Sequence, residues 1–205
     1  MTPSRPFGAS VTTVVEREIE LRLVARLKAG DPAAFEAIYE AYRPRLFSFL
    51  ARLSRRRDVA EDLLEETWLR LVARARELTD DTRLGPWLFT VARNLFASWC
   101  RHRAVDEGRI LDFALSWPGL LPRESPFESA ARGETERRLE AALARLAPKD
   151  REVLLLVAGE ELSPSEAAAV LGLTPEALRK RLQRARERLA LEVHEEPDQL
   201  QEKVG

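Results

Sequence analysis

Six basic side chains, Arg179, Lys180, Arg181, Arg184, Arg186 and Arg188, crowd into ten consecutive residues. The chemistry open to them is neutralisation of phosphates and forked hydrogen bonding to base edges, not the making or breaking of bonds. Residues 174–190 hold six basic and two acidic side chains, a local charge of +4. A second basic block covers residues 83–103, where Arg83, Arg93, Arg101 and Arg103 again give +4 and no acid occurs between Asp81 and Asp106. Between the start of the chain and this block stand Asp58, Glu61, Asp62 and Glu65, at i, i+3, i+4 and i+7. That spacing makes an acidic ridge one helix face wide. It reads either as a solvated face or as a docking surface for a protein.

The elements that must position these residues are helices. Ser163 is an N-cap, Pro164 suits the first helical position, and Glu166 completes a capping box. Leu162 can staple against Ala167, and Gly172 can take the left-handed conformation that ends a helix. Thr174 and Pro175 repeat the start signal. In the helix they open, Leu178, Leu182, Ala185 and Leu189 form one buried stripe and the basic residues occupy the other faces. Ala167, Ala168 and Ala169 allow a close crossing of the two helices. This is the pattern of a DNA-binding helix-turn-helix; the plainer reading is a helical hairpin with a solvated arginine face.

The other basic block is also a helix, over about 84–103, with Thr82 as its cap and Pro86 in its first turn. Leu84, Trp87, Leu88, Val91, Leu95 and Trp99 make an apolar stripe. Thr90, Arg93, Asn94, Ala97, Ser98 and Arg101 lie on the other face. A basic, Asn-bearing helix beside aromatic rings suits unstacked bases, held by polar edges and ring faces. At this spacing Trp87 and Trp99 also read as core residues, and Phe96 falls off the stripe.

Earlier helices are expected over 16–29, ended by Gly30, and from Asp31-Pro32 through Leu53, with Pro44 kinking or interrupting the second. Another covers about 59–76, burying Ala60, Leu64, Trp68, Leu71 and Ala75, and residues 77–83 form a polar loop. From 104 to 131 the periodicity fails at Pro118, Gly119, Pro122 and Pro126, although a short amphipathic helix at 109–116 fits. Helices resume at 134–146, with Leu139, Leu143 and Leu146 spaced for burial, and at 149–158.

The chain has 205 residues, 45% hydrophobic and 33% charged, with a formal net charge of −1 that conceals the segregation of charge. Strand signals are nearly absent. The fold class is therefore all-α: two small helical domains, an N-terminal bundle and a C-terminal helix-turn-helix, joined by a Pro-rich linker. The divisions are 1–15 (flexible tail), 16–103, 104–131 (linker), 132–190 and 191–205 (acidic tail). The last reads as a solvated tail or as a DNA mimic that screens the arginine face. One cysteine, Cys100, and two histidines, His102 and His194, exclude a disulfide framework and a Cys-based zinc site within one chain. No Gly-rich phosphate loop and no nucleophile beside a base can be found, so an enzyme, a metal, a cofactor and a small-molecule substrate are not expected. No apolar run has membrane-spanning length and residues 1–15 lack the apolar core of a signal peptide, so a cytoplasmic protein without membrane insertion is expected.

Five stretches in order resemble the bacterial sigma factors of the extracytoplasmic-function (ECF) group. They are Asp31-Pro32 with Phe35, the run Ala60–Trp68 (AEDLLEETW), Pro86–Asn94 (PWLFTVARN), Arg151–Leu156 (REVLLL) and Arg179–Leu189 (RKRLQRARERL). The resemblance implies that the acidic helix docks on the β′ clamp helices of core RNA polymerase through Glu61, Asp62, Glu65 and Glu66, with the β subunit as a further partner. It implies that the helix at 84–103 opens and reads the minus-ten element through Arg83, Trp87, Thr90, Arg93, Asn94, Ser98 and Arg101, while loop residues 78–83 hold an extruded base. Arg179, Lys180, Arg181, Gln183 and Arg184 would meet promoter DNA at the minus-thirty-five element. An anti-sigma factor is a further implied partner. Glu65 stands where glutamine is usual, Ser98 where aspartate is common, and the loop lacks the frequent F-R-G. Two other readings remain: a stand-alone helix-turn-helix regulator with palindromic sites, and a helical adaptor that binds only proteins.

Overall fold

A computed structural model describes residues 10–106, 133–160 and 162–194. Among them every regular element is helical: α1 (Ser10–Lys28), α2 (Pro32–Ser54), α3 (Arg57–Arg74), α4 (Leu84–Asp106), α5 (Glu134–Arg145), α6 (Pro148–Leu154), α7 (Pro164–Leu171) and α8 (Pro175–His194). A 3-10 turn, Ala75–Glu77, closes α3, and a π turn, Leu155–Gly159, closes α6. The expected linker helix at 109–116 and tail residues 195–205 lie outside the described residues.

Helices α1 to α4 form the N-terminal unit. Asp31 caps α2 by accepting the Ala33 N–H at 2.9 Å, and Gly30 turns the chain before it at φ +80°. Ile38, Leu46, Phe49, Leu50 and Leu53 of α2 are fully buried against Leu71 of α3 and Leu88, Phe89 and Phe96 of α4. Each such side chain contributes roughly 1.5–3 kcal/mol by leaving water. Phe49 meets Phe89 edge-on at 5.4 Å, and Trp68 lies 4.9 Å from Tyr39 and 6.1 Å from Phe35, ring to ring. Helix α2 runs through Pro44 without interruption, because Pro44 is exposed and water can serve the carbonyl that loses its partner.

Helices α5 to α8 form the C-terminal unit. The capping box at Ser163 and Glu166 is complete, Gly172 ends α7 at φ +63°, and the Ala177 N–H bonds Thr174 Oγ1 at 3.2 Å. Leu178, Leu182 and Ala185 of α8 are buried over α6, and Val153 of α6 and Leu156 of the π turn after it are fully enclosed.

Several boundaries differ from the sequence reading. Residues Ser10–Val15, assigned to a tail, are helical: Val and Thr are poor helix formers, but propensity is a weak prior that context overrides. Helix α4 extends to Asp106 and α8 to His194, each a few residues beyond the end expected for it. Leu139 is exposed, since Ala142 and Leu146 take the buried face of α5. The stripe of α4 is rotated by about one residue. Leu88, Phe89, Ala92, Phe96 and Cys100 are enclosed, whereas Trp87, Val91, Leu95 and Trp99 are half-buried.

Candidate nucleic-acid interface

Helix α8 carries the arginine face on a rigid base. Burying Leu178, Leu182 and Ala185 forces the intervening residues outward, so Arg179, Lys180, Gln183 and Arg184 are exposed and Arg181 is half-exposed. Lys180 pairs with Glu176 at 2.7 Å, and the Gln183 amide donates to Glu187 at 3.0 Å. Both are exposed intrahelical contacts worth a few tenths of a kcal/mol, which a phosphate or base edge can displace. Arg188 is tied instead to Asp150 of α6, which fixes α8 on its support.

Helix α4 presents a different surface. Its rotation leaves Trp87 and Trp99 half-buried at the boundary between core and solvent, with the Trp99 ring stacked on Phe96 at 6.1 Å and lying under the Arg103 guanidinium at 5.5 Å. Asn94 and Arg101 are exposed, while Thr90, Arg93 and Ser98 are half-buried. Thr90 donates to the Pro86 carbonyl at 2.7 Å, so its hydroxyl hydrogen is engaged within the helix. The Leu84 N–H that opens α4 is bonded by the Glu20 carboxylate of α1 at 2.6 Å, a carboxylate on the positive end of the helix. The cap expected from Thr82 is thus supplied from a distant element. Thr82 is drawn aside by a 3.0 Å contact between its hydroxyl and that of Thr79.

On α3, Glu61, Asp62 and Glu65 are exposed and Glu66 is half-exposed. Glu61 pairs with Arg57 at 2.9 Å and Glu66 with Arg70 at 2.8 Å, one helical turn apart in each case. At the head of the ridge a forked hydrogen bond from Arg56 holds the Asp58 carboxyl below its ordinary value. The ridge continues into Leu69 and Val72, 57% and 58% exposed, so the face is acidic at one end and apolar at the other. The sequence reading missed these two residues, although their positions one and two turns beyond Glu65 were the available signal. An apolar patch adjoining a charged one is a feature of protein interfaces.

A second group that sequence reasoning missed lies between the two units. Arg151 of α6 is 3% exposed and donates to the carbonyls of Leu143, Ala144 and Leu146 at 2.8–2.9 Å and to that of Leu53 in α2 at 3.3 Å. Burial, with Arg55 nearby, pulls its guanidinium down to about 10, still protonated at neutral pH. Glu152, also buried, accepts from Arg93 at 2.9 Å. Burial pushes its carboxyl up, against the opposing pull of Arg93. Arg83 pairs with Glu166 of α7 at 3.1 Å, Arg45 with Glu160 at 3.2 Å, and Arg52 with Glu140 at 2.7 Å. Each pair joins an arginine of the N-terminal unit to an acid of the C-terminal unit. Two of the arginines, Arg83 and Arg93, belong to the α4 surface.

Among the described residues no group of His, Cys, Asp and Glu is disposed to hold a metal, and no helix is long and apolar enough to cross a membrane. A helix-turn-helix with a basic outer face, carried beside a second helical unit that has basic and acidic faces of its own, defines a DNA-binding transcription protein. Residues 38–105 match the sigma-70 region 2 family and residues 136–189 the sigma-70 region 4 family. The chain is 33% identical over 165 residues to the RNA polymerase sigma factor CarQ of Myxococcus xanthus, covering 80% of this chain and 91% of that one. It is 35% identical over 147 residues to the ECF sigma factor EcfG of Rhodopseudomonas palustris, covering 72% and 78%. It also superposes on the sigma factor RpoE from Bartonella quintana, solved with the anti-sigma factor NepR, with a TM-score of 0.67, 28% identity and coverage of 78% and 96%. The chain belongs to the ECF sigma factors of the sigma-70 family, alternative sigma factors that direct promoter recognition.

Proposed function

We propose that α3 is the polymerase-docking element, with Glu61, Asp62, Glu65 and Glu66 facing the β′ clamp helices and Leu69 and Val72 extending the contact. On the same reading α4 and the loop before it melt and read the minus-ten element through Arg83, Trp87, Thr90, Arg93, Asn94, Ser98 and Arg101. Arg179, Lys180, Arg181, Gln183 and Arg184 of α8 meet the minus-thirty-five element. The chain supplies no bond chemistry; nucleotide addition belongs to the polymerase, in the cytoplasm where both act. An anti-sigma factor is the proposed regulatory partner, by likeness to RpoE solved with NepR.

The observation that carries this reading is the arrangement of the N-terminal unit. The face of α3 is acidic and apolar, while the exposed side of α4 is basic, amide-bearing and aromatic. One face suits a protein and the other suits single-stranded DNA, so a single small unit can hold a promoter against an enzyme. A further consequence concerns Arg93 and Arg83. Because both are paired with acids of the C-terminal unit, promoter binding requires those pairs to part. Phosphates or bases then take the place of the carboxylates.

The test is co-purification with core RNA polymerase. Asp62→Arg, an exposed substitution that leaves the fold intact, is expected to weaken holoenzyme formation by about a hundredfold or more, as a reversed charge at an interface does. Unchanged co-purification of the variant would remove α3 from the docking role.

A further inference from the structure

The region 2 match begins at residue 38, so α1 lies outside it. Yet α1 makes a concentrated set of polar contacts with the loop between the 3-10 turn and α4. Arg17 donates through Nη2 to the Asp81 carbonyl at 2.6 Å and through Nη1 to the Thr82 carbonyl at 3.0 Å. Glu20 pairs with Arg17 at 2.6 Å and accepts the Leu84 N–H at 2.6 Å. Lys28, about two turns further along α1, pairs with Asp80. The loop adds bonds of its own, from the Thr82 N–H to the Thr79 carbonyl at 3.1 Å and between the two threonine hydroxyls, while buried Leu78 anchors its near end.

The contacts that Arg17 and Glu20 make with the loop fall on backbone groups. Arg17 fixes two successive carbonyls and Glu20 fixes the next helical N–H, so they set the path of residues 81–84 whatever the loop side chains are. A loop of polar residues without such bonds would sample many conformations and lose that freedom only on binding. Here the ordering precedes the ligand. Arg17 and Glu20 are only 27% and 17% exposed, which shields the pair from competing water. The strut also lies wholly within the N-terminal unit. It therefore remains when the C-terminal unit moves away, whereas the bond from Arg83 to Glu166 does not.

We propose that Arg17 and Glu20 of α1 are positioning residues that preset the 79–83 loop in the shape that receives the base extruded from the minus-ten strand. The inference rests on the reading of that loop given above. It adds α1 as a specificity element for the promoter strand, acting through the loop backbone rather than by touching DNA.

The experiment uses the full chain reconstituted with core RNA polymerase. Run-off transcription is measured on a promoter substituted in turn at each minus-ten and minus-thirty-five position, and 2-aminopurine fluorescence in the non-template strand reports the extruded base. In the Arg17→Ala holoenzyme, discrimination at the extruded position is expected to fall about tenfold, the scale of a small misplacement of a binding group. Discrimination at minus-thirty-five positions, core affinity and thermal midpoint should match the wild type. Arg17→Lys, whose single ammonium cannot span both carbonyls, should lie between, and Glu20→Gln should lose the pair with Arg17 while keeping an acceptor for Leu84. Unaltered minus-ten discrimination in all three variants would overturn the role of α1 alone. So would a uniform loss at both elements with a lowered thermal midpoint, which would mark a purely structural contact. A wild-type holoenzyme that discriminates at no minus-ten position would instead bring down the loop reading itself, and the strut with it.

Discussion

Cys100 lies 3% exposed on the inner face of α4, and burial pushes its thiol from an ordinary 9.0 up to about 12. A thiol whose folded value is raised favours the fold while it is protonated. That contribution is present below pH 9, where the unfolded chain also keeps its proton, and is lost as pH rises from about 9 toward 12. At pH 8 the native thiol is therefore expected to resist an aromatic disulfide reagent that labels the urea-unfolded chain completely, and Cys100→Ala should flatten the loss of stability above pH 9. Native labelling at the unfolded rate would contradict the burial. The exposed basic residues of α8 were legible in the sequence because four apolar residues at helical spacing leave the others only one direction to point. Arg151 and Glu152 were not. In Lys149-Asp150-Arg151-Glu152 four charged residues in a row look like a solvated helix start, and only the tertiary structure brings four carbonyls to Arg151 and the Arg93 guanidinium to Glu152.

At the scale of elements, the turn between α7 and α8 sets the angle at which the arginine face is offered. Gly172 holds φ +63° with nothing within 4 Å of where a Cβ would stand, so a substitution there meets backbone strain and no clash. Gly172→Ala is expected to cost about 1–2 kcal/mol in urea unfolding, and Gly172→Asn less, because Asn tolerates the left-handed region. An alanine variant as stable as the wild type would show that the turn relaxes to another conformation. This turn, the capping box at Ser163 and the cap at Asp31 were readable because each is a local rule with its partners a few residues apart. The register of α4 was not, because two adjacent stripes are both apolar. Trp87, Val91, Leu95 and Trp99 compete with Phe89, Ala92, Phe96 and Cys100 for the places beside buried Leu84 and Leu88, and the choice is made by Phe49 of α2, which meets Phe89. The cap of α4 escaped for a similar reason: Glu20 is more than sixty residues away from Leu84.

For the whole molecule, the all-α class and the two helical units followed from periodicity and from the missing strand signals. Their mutual contact did not, since an arginine on one unit and a glutamate on the other carry no sequence mark of being neighbours. On the proposed reading the contact matters, because Arg93 and Arg83 are paired with Glu152 and Glu166 and must leave those carboxylates to meet a promoter. Two modest DNA surfaces gain strength when one polymerase holds them together, since the second then binds at a high effective concentration. Alone, the chain should bind duplex DNA weakly and with a steep dependence on salt. The most direct measurement is run-off transcription with purified core RNA polymerase from the same cell, on the DNA upstream of this protein's own operon, alongside duplex binding by the chain without polymerase. A transcript of defined length that depends on the added chain, together with weak unaided binding, is the predicted result. No transcript, with tight duplex binding by the chain alone, would contradict the account.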